Sequence, residues 1–72
     1  MDEKLTPREV EIVQMVAAGW TDQEIADRLF VARQTVKTHL RSVFRKTESK
    51  NRVCLALWAI RMGLVEVERQ VG

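Results

Sequence analysis

The sequence predicts an all-α fold, a four-helix domain with a central helix-turn-helix. Three observations support this expectation. Apolar residues recur at helical spacing along most of the chain. Capping boxes at Thr6 and Thr21 mark two helix starts, and Gly19 and Gly63 each follow a helical stretch. The predicted helices cover roughly residues 7–18, 22–29, 33–46 and 52–62.

The size and residue types of the chain limit what it can do. Its 72 residues suffice for a single domain over 1–72, and we expect the ends, 1–5 and 66–72, to be frayed. One Cys and one His supply neither an internal disulfide nor a zinc ligand set, so we expect no cofactor or metal. No nucleophile–base pair or pair of catalytic carboxylates is visible, which argues against an enzyme. No signal peptide is visible, and no apolar run approaches the ~20 residues that span a bilayer, so we expect a cytoplasmic protein without membrane contact.

The first helix should begin just after Thr6, whose hydroxyl and the carboxylate of Glu9 form a capping box, with Pro7 at the first helical position. Its predicted core face comprises Val10, Val13, Val16 and Ala17, flanked by Ile12 and Met15. Gly19 is placed as a C-cap, because positive φ costs glycine little. Trp20 is expected to be an ordinary packing aromatic.

The second helix should begin at a capping box formed by Thr21 and Glu24. Its predicted apolar side comprises Ile25, Ala26 and Leu29, and the small Ala26 lets another backbone approach closely. The connection over 30–32 is too short for a flexible linker, so this helix and the next must pack at a fixed angle. Such a pair is a helix-turn-helix, whose second helix can enter the major groove of DNA.

The third helix should have one apolar and one basic face. Its predicted buried positions are Val36, Leu40, Val43 and Phe44. The opposite face carries Gln34, Lys37, Thr38, Arg41 and Arg45, with no Asp or Glu. Solvated helix faces usually mix both signs of charge, so a face of one sign suggests a polyanionic partner.

The charges are also distributed unevenly along the chain. Formal charges sum to −4 over residues 1–31 and to +7 over residues 32–61, although the whole chain carries only +2. One half of the molecule should therefore attract phosphates. The alternative interpretation is a helical bundle held together by this charge contrast.

The fourth helix, capped by Ser49 or Asn51 and ended by Gly63 with Leu64 folding back, is apolar nearly all round. One predicted face comprises Leu55, Ala56, Ala59 and Met62, with Ile60 at its margin. The other comprises Cys54, Leu57 and Trp58, next to Arg61. A helix with two apolar faces needs a second partner, and we expect these four residues to form a homodimer contact. The alternative is packing against Trp20 or against the tail, 65–71.

The stretch from Leu5 to about Val65 contains, in order, LTPREVEIV, AAGWTDQEIADRLFVA, TVKTH, a following Lys46, NR and GLV. In this order and at this spacing, these pieces resemble the LuxR-type (GerE-like) helix-turn-helix domain of bacterial transcription regulators. The resemblance implies four helices, with the third as the recognition helix and the fourth as the dimerisation helix. It also implies homodimers that bind two half-sites of an operator in double-stranded DNA, and we expect that operator to be pseudo-palindromic.

The resemblance also assigns roles to individual residues. Base contacts fall to Lys37, Thr38 and Arg41, which the helical wheel independently places outward. Phosphate contacts fall to Thr21, Arg33, Gln34, Thr35, Arg45, Lys46, Asn51 and Arg52. RNA polymerase is a further candidate partner. His39 is expected to be a structural side chain beside the core.

Several positions depart from the family pattern. Ala32 stands where a Ser usually caps the recognition helix, and Asp22 replaces an Asn near the expected phosphates. Thr47 and Ser49 replace residues that are normally apolar, and Cys54 stands where a Glu often completes a capping box. Two other functions stay open. One is a promoter-binding module like region 4 of sigma factors, which also has a TVK-type recognition helix. The other is a protein–protein adaptor that has kept the fold without DNA binding, an alternative favoured by Asp22 and Ala32.

Overall fold

The computed structural model describes residues 4–65, and within that range the chain forms four α-helices and no strands. The helices are α1 (Pro7–Ala17), α2 (Asp22–Leu29), α3 (Arg33–Thr47) and α4 (Arg52–Arg61). The predicted fold class is confirmed, and each predicted boundary is met to within one residue. The expectations for residues 1–3 and 66–72 lie outside the described residues.

The core is built around α1, which packs against both α3 and α4, while α2 packs mainly against α3. All four helices contribute to a single buried cluster. Its members are Ile12, Val13, Val16, Ile25, Ala26, Val36, Leu40, Val43, Leu55 and Ala59. This arrangement leaves the side of α3 opposite the core uncovered.

The caps that fix the helix ends are those the sequence predicts. The hydroxyls of Thr6 and Thr21 accept the main-chain N–H groups of Glu9 and Glu24, both at 3.1 Å. In return, the carboxylates of these two glutamates accept the N–H groups of the threonines. Of the two candidates for α4, Asn51 is the cap, since its Oδ1 accepts the N–H of Cys54 at 2.9 Å. Gly19 has a φ of 93°, as its predicted place after α1 requires.

The buried face of α1 is rotated relative to the prediction. Ile12, expected at the flank, is fully buried, whereas Val10, expected in the core, is half-buried. The reason is that Glu9 is itself buried and lies at the centre of this face. An acid is not counted among core residues in a pattern of apolar spacing, so the predicted face is displaced towards Val10.

The end of α4 also differs from the prediction. Met62, expected on the core face, is exposed. Its place is taken by Leu64, whose N–H bonds the carbonyl of Ala59 at 2.9 Å and whose side chain packs against the core. The predicted hydrophobic contact after Gly63 is therefore confirmed, and it covers the last turn of α4.

The N-terminal end of α1 is joined to the C-terminal end of α3 by a buried ion pair. Lys46 Nζ lies 2.8 Å from Glu9 Oε1, and the two side chains are only 13% and 4% exposed. Burial by itself would raise the pKa of Glu9. Hydrogen bonds from Lys46, Thr6 and Ser42, together with the charge of Lys46, outweigh burial and lower this pKa from 4.5 to about 2. Lys46 also donates to the carbonyl of Lys4 at 3.3 Å, and Leu5 packs on the core.

The lowered pKa of Glu9 gives the free energy of unfolding a defined pH dependence. The unfolded state takes up this proton first as pH falls, so the stabilisation is complete above pH 4.5 and is lost towards pH 2. The loss should be roughly 3 kcal/mol. Urea denaturation measured between pH 4.5 and pH 2 should show this loss of stability in the wild type. The double variant Glu9→Gln/Lys46→Met, which replaces the pair by neutral side chains, should not show it. Glu11→Gln, an exposed acid of the same helix, should keep the wild-type profile; equal acid sensitivity of all three proteins would contradict the assignment.

The start of α3 lacks a side-chain cap. Ala32 has the extended backbone of an N-cap, with φ −74° and ψ 150°, but no side-chain hydrogen bond. Ala32→Ser should therefore raise the free energy of unfolding by about 1 kcal/mol, because its hydroxyl can accept a first-turn N–H. Ala32→Val, which adds bulk without an acceptor, should give no such gain in urea denaturation. Equal stability of the Ser and Val variants would show that the cap is not what this position lacks.

Candidate nucleic-acid interface

The exposed face of α3 carries the three predicted base-contacting residues. Lys37, Thr38 and Arg41 are all exposed, on the side opposite the buried Val36 and Leu40. The predicted phosphate-contacting residues of the same helix, Arg33, Gln34, Thr35 and Arg45, are exposed as well. The sequence of α3 contains no acid, so every formal charge on this face is positive.

The hydroxyl of Thr38 is engaged within the helix. Its Oγ1 donates to the carbonyl of Gln34 at 3.0 Å. Because the hydroxyl proton is used, the side chain offers its methyl group and acceptor lone pairs to a ligand. Thr38 therefore differs in chemistry from its neighbours Lys37 and Arg41, which carry only donors.

Thr21 and Asn51 lie at the starts of α2 and α4, where their side chains serve as N-caps. Each side-chain oxygen accepts a main-chain N–H of its own helix, so neither oxygen is oriented towards a ligand by the fold. What these residues can offer a phosphate is the start of the helix itself, with its main-chain N–H groups.

Lys46 is predicted to contact phosphate, but its side chain is only 13% exposed. Its ammonium group donates to Glu9 Oε1 at 2.8 Å and to the carbonyl of Lys4 at 3.3 Å. A phosphate would have to compete with these two acceptors, and the phosphate contact of Lys46 stays a prediction. The contribution of Lys46 is to fix the end of α3 relative to α1.

Arg52 lies between the starts of α2 and α4. Its Nη1 donates to Asp22 Oδ1 and its Nη2 to the carbonyl of Trp20, both at 2.6 Å. The side chain remains 40% exposed, in contrast to that of Lys46. Arg52 is therefore exposed, as its predicted phosphate contact requires, but the carboxylate of Asp22 lies beside it.

Two adjoining hollows connect these residues to α3. The first is lined by residues of the α1–α2 joint together with Arg33, Lys37 and Arg52. The second is lined by Asp22, Lys37, Leu40, Arg41, Phe44 and Arg52. Among the described residues that line them, four are basic and one, Asp22, is acidic. The two hollows form one basic surface, which we call the basic face.

The exposed apolar residues of α4 differ in part from the predicted dimer contact. Leu57 is 56% exposed and Arg61 is exposed, as predicted, while Cys54 is half-buried. Trp58 is half-buried and packs against the core, so only part of its surface is open to a partner. The prediction missed Val53, which is 68% exposed.

Val53, Leu57 and Ile60 follow one another at intervals of four and three residues and form an exposed stripe, which we call the α4 stripe. The helical spacing of these three residues was the signal that could have identified Val53. By contrast, no local signal could identify the Asp22–Arg52 contact, because its partners are 30 residues apart in the chain.

The fold and the basic face together define a helix-turn-helix DNA-binding domain, with α2 and α3 as the two helices of the motif. The described residues contain no helix that is both long and apolar enough to cross a membrane.

Comparison with known proteins agrees with this class. The family described as bacterial regulatory proteins, luxR family (GerE), matches residues 3–59. This chain is 39% identical to the uncharacterized transcriptional regulatory protein YxjL of Bacillus subtilis (strain 168) over 64 residues, which are 89% of this chain and 29% of that protein. It is 41% identical to the transcriptional regulatory protein LiaR of Bacillus subtilis (strain 168) over 63 residues, 88% of this chain and 30% of that protein.

The uncharacterized response regulatory protein YgeK of Escherichia coli (strain K12) is a further relative, 39% identical over 66 residues, which are 92% of this chain and 45% of that protein. The chain thus spans less than half the length of these relatives. It belongs to the luxR family of bacterial regulatory proteins, and it is a LuxR-type DNA-binding regulator domain.

Proposed function

We propose that this domain binds a pseudo-palindromic site in double-stranded DNA as a homodimer and thereby regulates transcription in the bacterial cytoplasm. In this proposal α3 enters the major groove and α4 forms the dimer contact. The observation that carries the proposal is the acid-free, exposed face of α3, on a helix whose opposite face is anchored in the core by Val36, Leu40 and Val43.

Base recognition falls to Lys37, Thr38 and Arg41, which lie one and three residues apart on one edge of α3. The donors of Lys37 and Arg41 suit the two acceptors, O6 and N7, on the major-groove edge of guanine. Thr38 complements them with a methyl group for thymine and an acceptor for the amino group of cytosine. The three side chains together can therefore distinguish base pairs.

Phosphate contacts fall to the residues that flank this edge. Arg33, Gln34 and Thr35 lie in the first turn of α3, and Arg45 lies in its last turn. The starts of α2 and α4 present main-chain N–H groups to the same side. Such contacts release counterions and supply affinity without sequence preference. We leave Lys46 out of this set, because its ammonium group is already paired with Glu9 at 2.8 Å.

Dimerisation through the α4 stripe is supported by its exposure. Val53 and Leu57 are both more than half exposed on a helix whose opposite side is in the core, and Cys54 and Arg61 border them. A two-fold axis through this stripe would repeat α3 in a second half-site. The two recognition helices would then meet major grooves about one helical turn, roughly 34 Å, apart.

The base-reading and phosphate roles separate in binding measurements. Arg41→Ala should weaken binding to the preferred duplex by about 1–3 kcal/mol and reduce discrimination against other sequences. Arg45→Ala should weaken binding to preferred and random duplexes by similar factors, because phosphates carry no sequence information. The preferred site is first selected from random duplexes, and affinities are then measured by fluorescence anisotropy at fixed salt. If both variants lost affinity evenly on the two duplexes, the assignment of Arg41 to base recognition would be wrong.

The dimer contact is tested with Leu57→Glu, since Leu57 is exposed and its substitution leaves the core intact. The charge should prevent burial of the α4 stripe, and sedimentation should show a monomer that binds a half-site weakly. Phe30→Glu, which places the same charge at a highly exposed apolar position outside α4, should leave the association state unchanged. A Leu57→Glu variant that sediments like the wild type would remove α4 from the interface.

A further inference from the structure

The basic face contains a carboxylate that opposes its proposed ligand. Asp22 occupies the first position of α2 and lines both hollows, beside Lys37 and Arg52. Its side chain is 23% exposed, so it is in contact with solvent as well as with Arg52. A DNA phosphate that approached the start of α2 would meet this carboxylate.

The contact with Arg52 has a definite geometry. One guanidinium nitrogen donates to Asp22 Oδ1 and the other to the carbonyl of Trp20. A guanidinium group has five donors, so others remain after these two bonds. Arg52 thus still has hydrogen-bonding capacity for a phosphate, while the adjacent carboxylate cancels its charge at any distance much longer than 2.6 Å.

A structural role for the contact has to be separated from this electrostatic one. The contact joins the starts of α2 and α4, and an asparagine at position 22 would preserve that join, because its Oδ1 can still accept from Arg52. Asparagine removes only the charge. A comparison of Asp22→Asn with the wild type therefore isolates the electrostatic effect from the hydrogen bond.

We propose that Asp22 limits the affinity of this domain for DNA by neutralising Arg52 at the edge of the basic face. This inference depends on the proposed function, since it requires a duplex against the same surface. In the wild type, the Asp22–Arg52 pair as a whole adds little to the sequence-independent affinity. Once the charge of Asp22 is removed, Arg52 acts as one additional phosphate-binding cation.

The test is a double-mutant cycle of Asp22→Asn and Arg52→Ala, measured on a random-sequence duplex over a range of salt concentrations. Asp22→Asn should bind about five-fold more tightly near 0.15 M salt, and the slope of log K against log salt should steepen by about 0.9, the value for one more phosphate contact. Arg52→Ala alone should weaken binding, because it leaves the carboxylate of Asp22 unpaired on the basic face. In the Asp22→Asn background, Arg52→Ala should return the affinity and the slope to those of the wild type.

Glu11→Gln is the matched control. Glu11 is an exposed acid of α1, paired with Arg8 at 3.7 Å and outside both hollows, and its neutralisation raises the net charge by the same amount. Its salt slope should equal that of the wild type, because charges at longer range are screened beyond about 8 Å at physiological salt. Circular dichroism and thermal unfolding of each variant establish that all are folded at the temperature of the binding measurement.

The possible outcomes separate this inference from the proposed function. If the folded Asp22→Asn protein bound no more tightly than the wild type, the inference would be overturned and DNA binding would stand. The inference would be overturned in the same way if Glu11→Gln gave an equal gain, or if the double variant Asp22→Asn/Arg52→Ala bound more tightly than the wild type. If the wild type bound no duplex even at low salt, the proposed function would fail, and the inference would fail with it.

Discussion

The C-terminal end of α3 is joined to the start of α1 by the largely buried ion pair between Glu9 and Lys46. A buried carboxylate and ammonium are stable only when they are paired and hydrogen-bonded, and loss of either partner leaves a charge without water. Here the ammonium of Lys46 bonds both Glu9 and the carbonyl of Lys4, while Glu9 also completes the cap of α1. The end of α3, the start of α1 and the segment before it are therefore fixed to one another. The opposite face of α3 can then be fully exposed without loss of orientation.

Three basic residues, Lys46, Arg52 and Arg41, have different roles because they differ in burial and in ion pairing. Lys46 is buried and paired, and its charge stabilises the fold. Arg52 is paired but substantially exposed, so its charge is present at the surface and partly cancelled. Arg41 is exposed and lines the second hollow. Counting basic residues along the sequence treats these three alike, although only the surface that each presents decides what it can bind.

Local features of the sequence were sufficient to predict the helices, and non-local contacts account for the differences. Capping boxes and apolar spacing act over three or four residues, and they located each helix end to within one residue. Glu9 and Lys46 are 37 residues apart, and nothing near either of them signals the pair. The burial of Glu9, the displaced face of α1 and the structural role of Lys46 all follow from that contact. In the candidate interface, the outward edge of α3 could be predicted for the same reason as the helices, whereas the neutralisation of Arg52 could not.

The turn between α2 and α3 shows where the angle of the motif is set. Phe30 has a left-handed backbone with φ 58°, which is costly for a residue with a Cβ, and its side chain is 94% exposed and returns little contact energy. Ala32, two residues later, provides no side-chain cap. Because both the left-handed backbone of Phe30 and the missing cap at Ala32 are unfavourable, the turn does not by itself determine the angle between α2 and α3. The angle must come from packing, because Ala26 is fully buried, Val31 packs on the core, and the Val31 N–H bonds the carbonyl of Ala26 at 3.0 Å. Helix α3 is therefore oriented by the core beneath it and by the ion pair at its far end, and the turn adopts the conformation that these contacts require.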